Sequence, residues 1–121
     1  MNTSINQRGD SQVAIVESTD ILISNTQDAL DLMATVRYLS GCDKFIIHQW
    51  NVTEDFFELK TKLAGDVLQK YTNYYMKMAI VGDFDQYDSK NLRDFIYECN
   101  HGKHFFFVKD EQAALDALHG V

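Results

Sequence analysis

Residues 77–108 read KMAIVGDFDQYDSKNLRDFIYECNHGKHFFFV and decide the fold of this chain. A short apolar run at residues 78–81 predicts a strand, which ends in the acidic turn of residues 82–85. Residues 89–99 then carry apolar side chains at helical spacing, namely Leu92, Phe95, Ile96 and Cys99. A second apolar run, residues 105–108, predicts another strand. This strand–helix–strand crossover indicates an α/β fold.

The N-terminal part of the chain predicts an antiparallel start to the sheet. Residues 13–16 and 21–23 are apolar runs joined by a turn at residues 18–20, and they predict a hairpin. Residues 1–10 are either a flexible arm or an added edge strand. The last strands are expected to be parallel, because crossover connections are right-handed.

Helix start and stop residues complete the predicted order. Ser24 and Gln27 form a capping pair at the start of the first helix, and Gly41 suits its end. Thr53 predicts the start of a second helix that continues to Tyr71. The remaining predicted elements are strands at residues 44–49, 77–82 and 103–108 and a helix at residues 111–119. The order is therefore β-β-α-β-α-β-α-β-α, in one domain that spans residues 1–121.

Two expectations concern packing. Gly65 lies in the middle of the predicted second helix, where glycine is unfavourable, so we expect a close backbone approach there. The predicted core residues are Leu63, Val67, Ile80, Val81, Leu92, Phe95 and Phe106.

Composition narrows the function classes. The 121 residues carry a net charge of −7 without any Lys/Arg cluster, which argues against nucleic acid and against anionic membrane surfaces. No apolar run approaches the roughly twenty residues that span a bilayer, and the polar N-terminus does not resemble a signal peptide. Cys42 and Cys99 are expected to be reduced, buried thiols of a cytoplasmic protein.

Several sequence blocks resemble a known family. They are QDALDLM at residues 27–33, FFEL at 56–59, LAG at 63–65, AIVGDF at 79–84 and LRDFIYE at 92–98. Together they resemble the small bacterial domain of unknown function known as family 4180, over about residues 13–118. That family has no established activity, so the resemblance implies no mechanism.

The element order also resembles the STAS (SpoIIAA-like) βα superhelix of anti-sigma-factor antagonists, by topology. STAS antagonists carry a phosphorylatable serine at the start of the helix after the third strand, and the matching residue here is Thr53. The Ser-Ser-Gly context is absent, and Glu54 and Asp55 would repel a phosphate that the helix N-terminus would attract. The resemblance implies a regulatory role, with Thr53 as a candidate for phosphorylation; the alternative is that Thr53 is an ordinary N-cap.

Candidate binding residues follow the predicted parallel strands. Functional groups of such sheets gather beyond the carboxyl ends of the strands, which here are His48 with Trp50 and Asp83 with Asp85. If the two strands are neighbours, these residues and the helix start near Ser89 face one crevice that suits a polar ligand. Alternatively, His48 is a hydrogen-bonded edge residue and Asp83 caps its own turn.

Other chemistries find weaker support. Asp83 and Asp85 have the spacing of the haloacid-dehalogenase nucleophile motif, but Tyr87 stands at its later position and too little chain follows. A calcium loop would need a central glycine and a closing glutamate, which are missing after Asp83. Zinc would need Cys99, His101 and His104 to converge across a helix end, so we expect no metal and no cofactor.

Both faces of the last strand are apolar. Phe105 and Phe107 point one way, and Phe106 and Val108 the other. If helices cover one face only, the second face needs the N-terminal segment or a second copy of the chain, so a homodimer is one expected arrangement.

The leading prediction is a non-catalytic cytoplasmic binding or regulatory module for a protein partner or small polar ligand. The alternative is a small hydrolase or transferase that uses the His48/Asp83 crevice.

Overall fold

A computed structural model describes residues 1–121 and contains five strands and four α-helices. The strands are β1 (Asn2–Arg8), β2 (Ser11–Glu17), β3 (Lys44–His48), β4 (Lys77–Val81) and β5 (Phe105–Val108). The helices are α1 (Thr26–Ser40), α2 (Leu63–Asn73), α3 (Lys90–Asn100) and α4 (Glu111–His119). Three single 3₁₀ turns lie between β3 and α2, at Gln49–Asn51, Glu54–Phe57 and Leu59–Thr61.

The strands form one sheet in the order β1-β2-β3-β4-β5. The β1–β2 pair is antiparallel, and the other three pairs are parallel. The predicted fold class, an α/β fold with a mostly parallel sheet and an antiparallel N-terminal strand, is therefore confirmed.

The predicted N-terminal hairpin was wrong. Residues 2–8 pair with residues 11–17 across Gly9, whose φ of +60° suits a tight turn. Residues 21–23 contribute only an isolated bridge between Ile23 and Val52. The reason is that Leu22 N and Ile23 N donate to Asn51 O in the loop after β3, so this segment does not pair with β2 before α1 begins at Thr26.

Helices α1, α2 and α3 pack on one face of the sheet, called here the front face. Their buried side chains join Phe45, Ile80 and Phe107 in the larger of two core clusters. Tyr71 is fully buried there, and its hydroxyl donates to the Ala29 carbonyl at 2.7 Å, which fixes α2 against α1. This cluster supplies most of the apolar burial that stabilises the fold.

The predicted helix from Thr53 to Tyr71 was wrong in its first half. Phe56 and Phe57 are both buried in a 3₁₀ turn. Lys62, with φ of +67°, has a left-handed conformation that a helix cannot include, and α2 begins only at Leu63. Gly65 therefore lies in the first turn of α2 rather than mid-helix. It is exposed, and no atom lies within 4 Å of the position that a β-carbon would take, so the expected close approach does not exist.

Helix α4 packs on the opposite, back face. Ala114, Leu115 and Leu118 cover Ile46 and Phe106, so the aromatic back face is buried within the chain. The predicted bounds of this helix, residues 111–119, match those observed. A second copy is therefore not needed to cover this face.

Helix α4 crosses the back face diagonally. It begins beside the end of β5, and at its other end His119 contacts Ser11, the first residue of β2. Lys44 Nζ donates to the carbonyl of Leu118 at 2.9 Å and so caps the end of α4. The back-face corner beyond Ile15, at the carboxyl ends of β2 and β3, lies outside the path of this helix.

Most other local predictions hold, with small shifts. The N-cap of α1 is Asn25, one residue after Ser24, and its side chain accepts from Asp28 N. Among the predicted core residues, Val81 and Phe95 are only half-buried, and the others are buried. Both cysteines are free and buried, and burial raises the pKa of the Cys99 thiol to about 11.

Candidate functional site

Trp50 stands out at the carboxyl edge of the sheet. Its indole stacks on the His48 ring, with centroids 4.1 Å apart and planes 8° apart, and its Nε1–H donates to the Ser18 carbonyl at 2.9 Å. Nevertheless 59% of Trp50 is exposed. His48 follows Ile46 on the back face by strand alternation, so the stack lies at the corner that α4 leaves open. Trp50 is thus held in one orientation while its outer face meets solvent.

Asn51 fixes the loop beneath this stack. It is the one fully buried polar residue of the chain. Its Oδ1 accepts from His48 N at 2.9 Å, and its Nδ2 donates to the carbonyls of Ser18 and Asp20 at 2.9 and 2.8 Å. These bonds join the end of β3 to the segment that follows β2, which also holds the acceptor for Trp50. Sequence reasoning missed Asn51, because nothing local separates it from an ordinary loop asparagine.

Gln49 makes the corresponding link from β3 to β4. Its Oε1 accepts from Asp83 N at 3.0 Å, and its Nε2 donates to the Tyr87 hydroxyl at 2.9 Å. That hydroxyl donates in turn to Glu54 Oε2 at 3.0 Å. Burial raises the pKa of Tyr87, and the neighbouring Glu54 adds to the effect. Gln49 lies over Gly82, whose lack of a side chain makes room for it.

Two open clefts flank Trp50. One, of about 600 Å³, is lined by Ile21, Gln49, Trp50, Val52, Thr53, Glu54 and Gln86. The other, of about 360 Å³, is lined by Glu17, Ser18, Thr19, His48 and Trp50. The indole therefore forms a ridge between two shallow clefts, called here the Trp50 ridge.

The other candidate residues lie apart from this ridge. Asp83 and Asp85 line a separate cleft of about 590 Å³ between the ends of β4 and β5. Asp83 Oδ1 accepts from Asp85 N at 3.1 Å within their own turn. Ser89 is the N-cap of α3, with its Oγ accepting from Leu92 N at 3.2 Å. The structure thus brings together His48 with Trp50, and Asp83 with Asp85, but in different clefts.

The hydrogen bonding of His48 and Thr53 also describes the site. His48 Nδ1 is buried without a hydrogen-bond partner, which is unfavourable for an imidazole nitrogen. Thr53 precedes the second 3₁₀ turn without capping it through its side chain, and its backbone N donates to Ile23 O at 2.9 Å. Thr53 also belongs to the lining of the larger cleft beside Trp50.

No set of three or more His, Cys, Asp or Glu side chains is arranged to hold a metal ion. None of the four helices has the length and apolarity that crossing a membrane requires.

Comparison with known proteins gives a family and a distant structural likeness. A family model described as "Domain of unknown function (DUF4180)" matches residues 8–118. No curated protein matches the sequence. Among solved structures, the chain is similar to the crystal structure of a candidate anti-sigma factor antagonist from Thermotoga maritima. The identity is 12%, the TM-score is 0.46, and the match covers 97% of this chain and 94% of that one.

Proposed function

The chain belongs to the DUF4180 family, and we propose that it is a non-catalytic binding module that recognises its partner at the Trp50 ridge. The observation that carries this proposal is the exposed but immobilised indole of Trp50. A tryptophan that served only the core would bury its ring, whereas here the stack on His48 presents the outer face to solvent. Rigid, exposed aromatic residues are the typical anchors of binding interfaces.

The surrounding contacts support a prepared site. Asn51 and Ser18 hold the ridge through hydrogen bonds that need no ligand, so little conformational entropy is lost when a partner binds. Ile21, exposed by 59%, lies in the cleft beside Trp50 and adds apolar surface. In this proposal the module catalyses no reaction and acts only by binding a partner at the Trp50 ridge, so its role is regulatory.

The test uses the single tryptophan of the chain as its reporter. A panel of nucleotides, amino acids and short peptides of differing charge is titrated while Trp50 fluorescence and melting temperature are recorded. We expect at least one class to shift both. The melting shift should vanish in Trp50→Ala and persist in Tyr97→Ala, a matched control that removes another exposed aromatic ring. An unchanged melting shift in Trp50→Ala would overturn the proposal.

The same titration tests the other predicted residues. If the site extends as the sequence suggested, His48→Ala and Asp83→Asn weaken binding while the fold remains intact. Asp83 lines a separate cleft. If Asp83→Asn weakens binding and His48→Ala does not, the binding site is that cleft and not the Trp50 ridge.

We further propose that the protein is a cytoplasmic homodimer that pairs through β1. Two free cysteines suit a reducing compartment. Proline, lysine and bulges normally protect an edge strand from association. Strand β1 is a seven-residue edge that contains neither proline nor lysine, and its pairing with β2 is continuous, without a bulge. An antiparallel pair of β1 strands centred on Ile5 sets Asn2 opposite Arg8 and brings no like charges together.

A further inference from the structure

Resting on the proposed Trp50 site, we infer that its occupant is cationic: an arginine- or lysine-bearing extended segment of a partner protein. The inference follows from the charges around the indole, from the shape of the two clefts and from the chemistry of an exposed tryptophan face.

Charge around Trp50 is one-sided, although Lys109 follows β5 at the same edge of the sheet and lines the separate cleft of Asp83 and Asp85. Neither cleft beside Trp50 contains a lysine or arginine, and each contains one glutamate, Glu17 in one and Glu54 in the other. The three chain segments that meet there, residues 9–36, 45–59 and 78–89, contain no lysine or arginine at all. The basic residues at the starts of β3, β4 and β5 lie at the opposite edge of the sheet; they are Lys44, Lys77 and Lys103.

The two glutamates have no cationic partner within the chain. The four ion pairs involve Arg8, Arg37, Lys90 and Arg93, and none of them reaches Glu17 or Glu54. Glu54 accepts only a neutral hydrogen bond, from Tyr87. Each of the two clefts that share Trp50 thus contributes one carboxylate that no cation of the chain neutralises.

The indole itself favours the same ligand chemistry. The face of a tryptophan ring carries negative potential and attracts guanidinium and ammonium groups, an effect on the order of tenfold in affinity. One face of Trp50 is occupied by His48, which leaves the other for such a group. Arginine also stacks flat on aromatic rings, which suits a planar ridge.

The shape of the site indicates a segment of protein rather than a free small cation. Sites for small molecules enclose most of the ligand surface, whereas both clefts here are shallow and open and have only Trp50 in common. An extended chain can cross the ridge, place a basic side chain on the indole and rest an apolar residue on Ile21. Several weak contacts along one chain then add up to useful affinity.

Four probes test the inference by Trp50 fluorescence: an eight-residue peptide with two arginines, its lysine and citrulline counterparts, and free arginine amide. We expect saturable binding of the arginine and lysine peptides that weakens with salt, and no binding of the citrulline peptide. Arginine amide should bind at least about tenfold more weakly than the arginine peptide, because it makes only the cation–π contact.

Charge-matched variants separate the site from the overall negative charge. The double variant Glu17→Gln/Glu54→Gln keeps Trp50 as the fluorescent reporter. It should lower the affinity for the arginine peptide by about tenfold. The double variant Asp10→Asn/Glu98→Gln makes the same charge change far from the ridge. Its affinity for the arginine peptide should stay within about twofold of the wild-type affinity. Melting temperatures confirm that both variants fold. Equal weakening in both would overturn a local site.

The remaining outcomes distinguish this inference from the proposed function. Equal binding of the citrulline peptide would refute the cationic occupant and leave the Trp50 site standing. The same conclusion holds if the basic peptides fail while another ligand class shifts the melting temperature in a Trp50-dependent way. If arginine amide binds as tightly as the arginine peptide, the inference that the occupant is a segment of a protein is refuted. Failure of every ligand at Trp50 would overturn both proposals.

Discussion

Gln49 lies so close to Gly82 that a β-carbon at residue 82 would come within 2.6 Å of Gln49 Cβ. Gly82→Ala must therefore displace Gln49, which holds Asp83 N and the Tyr87 hydroxyl. We expect a loss of about 1–3 kcal/mol in the free energy of unfolding, the range for overpacked sites. Urea denaturation followed by circular dichroism measures it. A variant as stable as wild type would show that Gln49 moves without consequence.

Gly65 offers the opposite case. It is exposed in the first turn of α2, its φ is not in the left-handed region, and the space around its missing β-carbon is empty. Gly65→Ala should therefore raise the free energy of unfolding by about 0.4–1 kcal/mol, because alanine restricts the unfolded chain. Urea midpoints of the two variants, Gly82→Ala and Gly65→Ala, should move in opposite directions. A loss of stability at residue 65 would indicate an unrecognised contact.

Asn51 should be important for stability. Asn51→Ala removes all three side-chain hydrogen bonds, which are part-buried, and leaves the carbonyls of Ser18 and Asp20 without this donor. We expect a loss of about 1–3 kcal/mol. Trp50 fluorescence should shift as well, because Ser18 O also accepts from the indole. The control is Asn91→Ala, an exposed asparagine on α3. An equal, small effect of both substitutions would contradict the role of Asn51.

The sequence predicts the C-terminal half of the fold well and the first half less well. From β4 to α4 each strand is a continuous apolar run and each helix has a side-chain cap, at Ser89 and at Asp110, so local pattern and tertiary packing agree. Between β3 and α2 they disagree. Phe56 and Phe57 are both buried, and Lys62 adopts a left-handed conformation that no helical periodicity indicates.

The candidate site divides in the same way. His48 and Trp50 could be predicted because residues at the ends of parallel strands gather at one edge. The orientation of Trp50 and the contributions of Gln49, Asn51 and Gly82 depend on pairs of residues far apart in the sequence. Strand order alone does not say which side chain of a loop turns inward. The separation of Asp83 from His48 follows from the position of Gln49 between their loops.

His119 should make stability depend on pH. Its Nδ1 and Nε2 lie 2.7 Å from Ser11 Oγ and 2.8 Å from Asn6 Oδ1. Burial, with help from Arg8 and Lys44, lowers the pKa of His119 below its ordinary value of 6.5, although Asp116 opposes this. The unfolded chain therefore binds the proton more readily, so stability is full above about pH 6.5 and falls as the pH drops below it.

The measurement is the urea midpoint at about pH 7.5 and about pH 5.5, on either side of the ordinary histidine pKa. His119→Gln keeps hydrogen-bonding groups but cannot be protonated, so the difference between the two midpoints should shrink. His101→Gln is the matched control, since it removes an exposed imidazole at the end of α3. If the control shrinks the difference as much, or His119→Gln leaves it unchanged, the effect does not come from His119.

The proposed dimer through β1 is tested with Ile5→Lys. Pairing centred on residue 5 places the two copies of this residue opposite each other, so two lysines would repel across the new interface. Ile5 is 49% exposed, and the fold should tolerate the change. Light scattering during gel filtration should give a dimer mass for wild type and a monomer mass for Ile5→Lys. Leu39→Lys, at 52% exposure on α1, makes the same charge change and should stay dimeric. A monomeric wild type, or a dimeric Ile5→Lys, would refute pairing through β1.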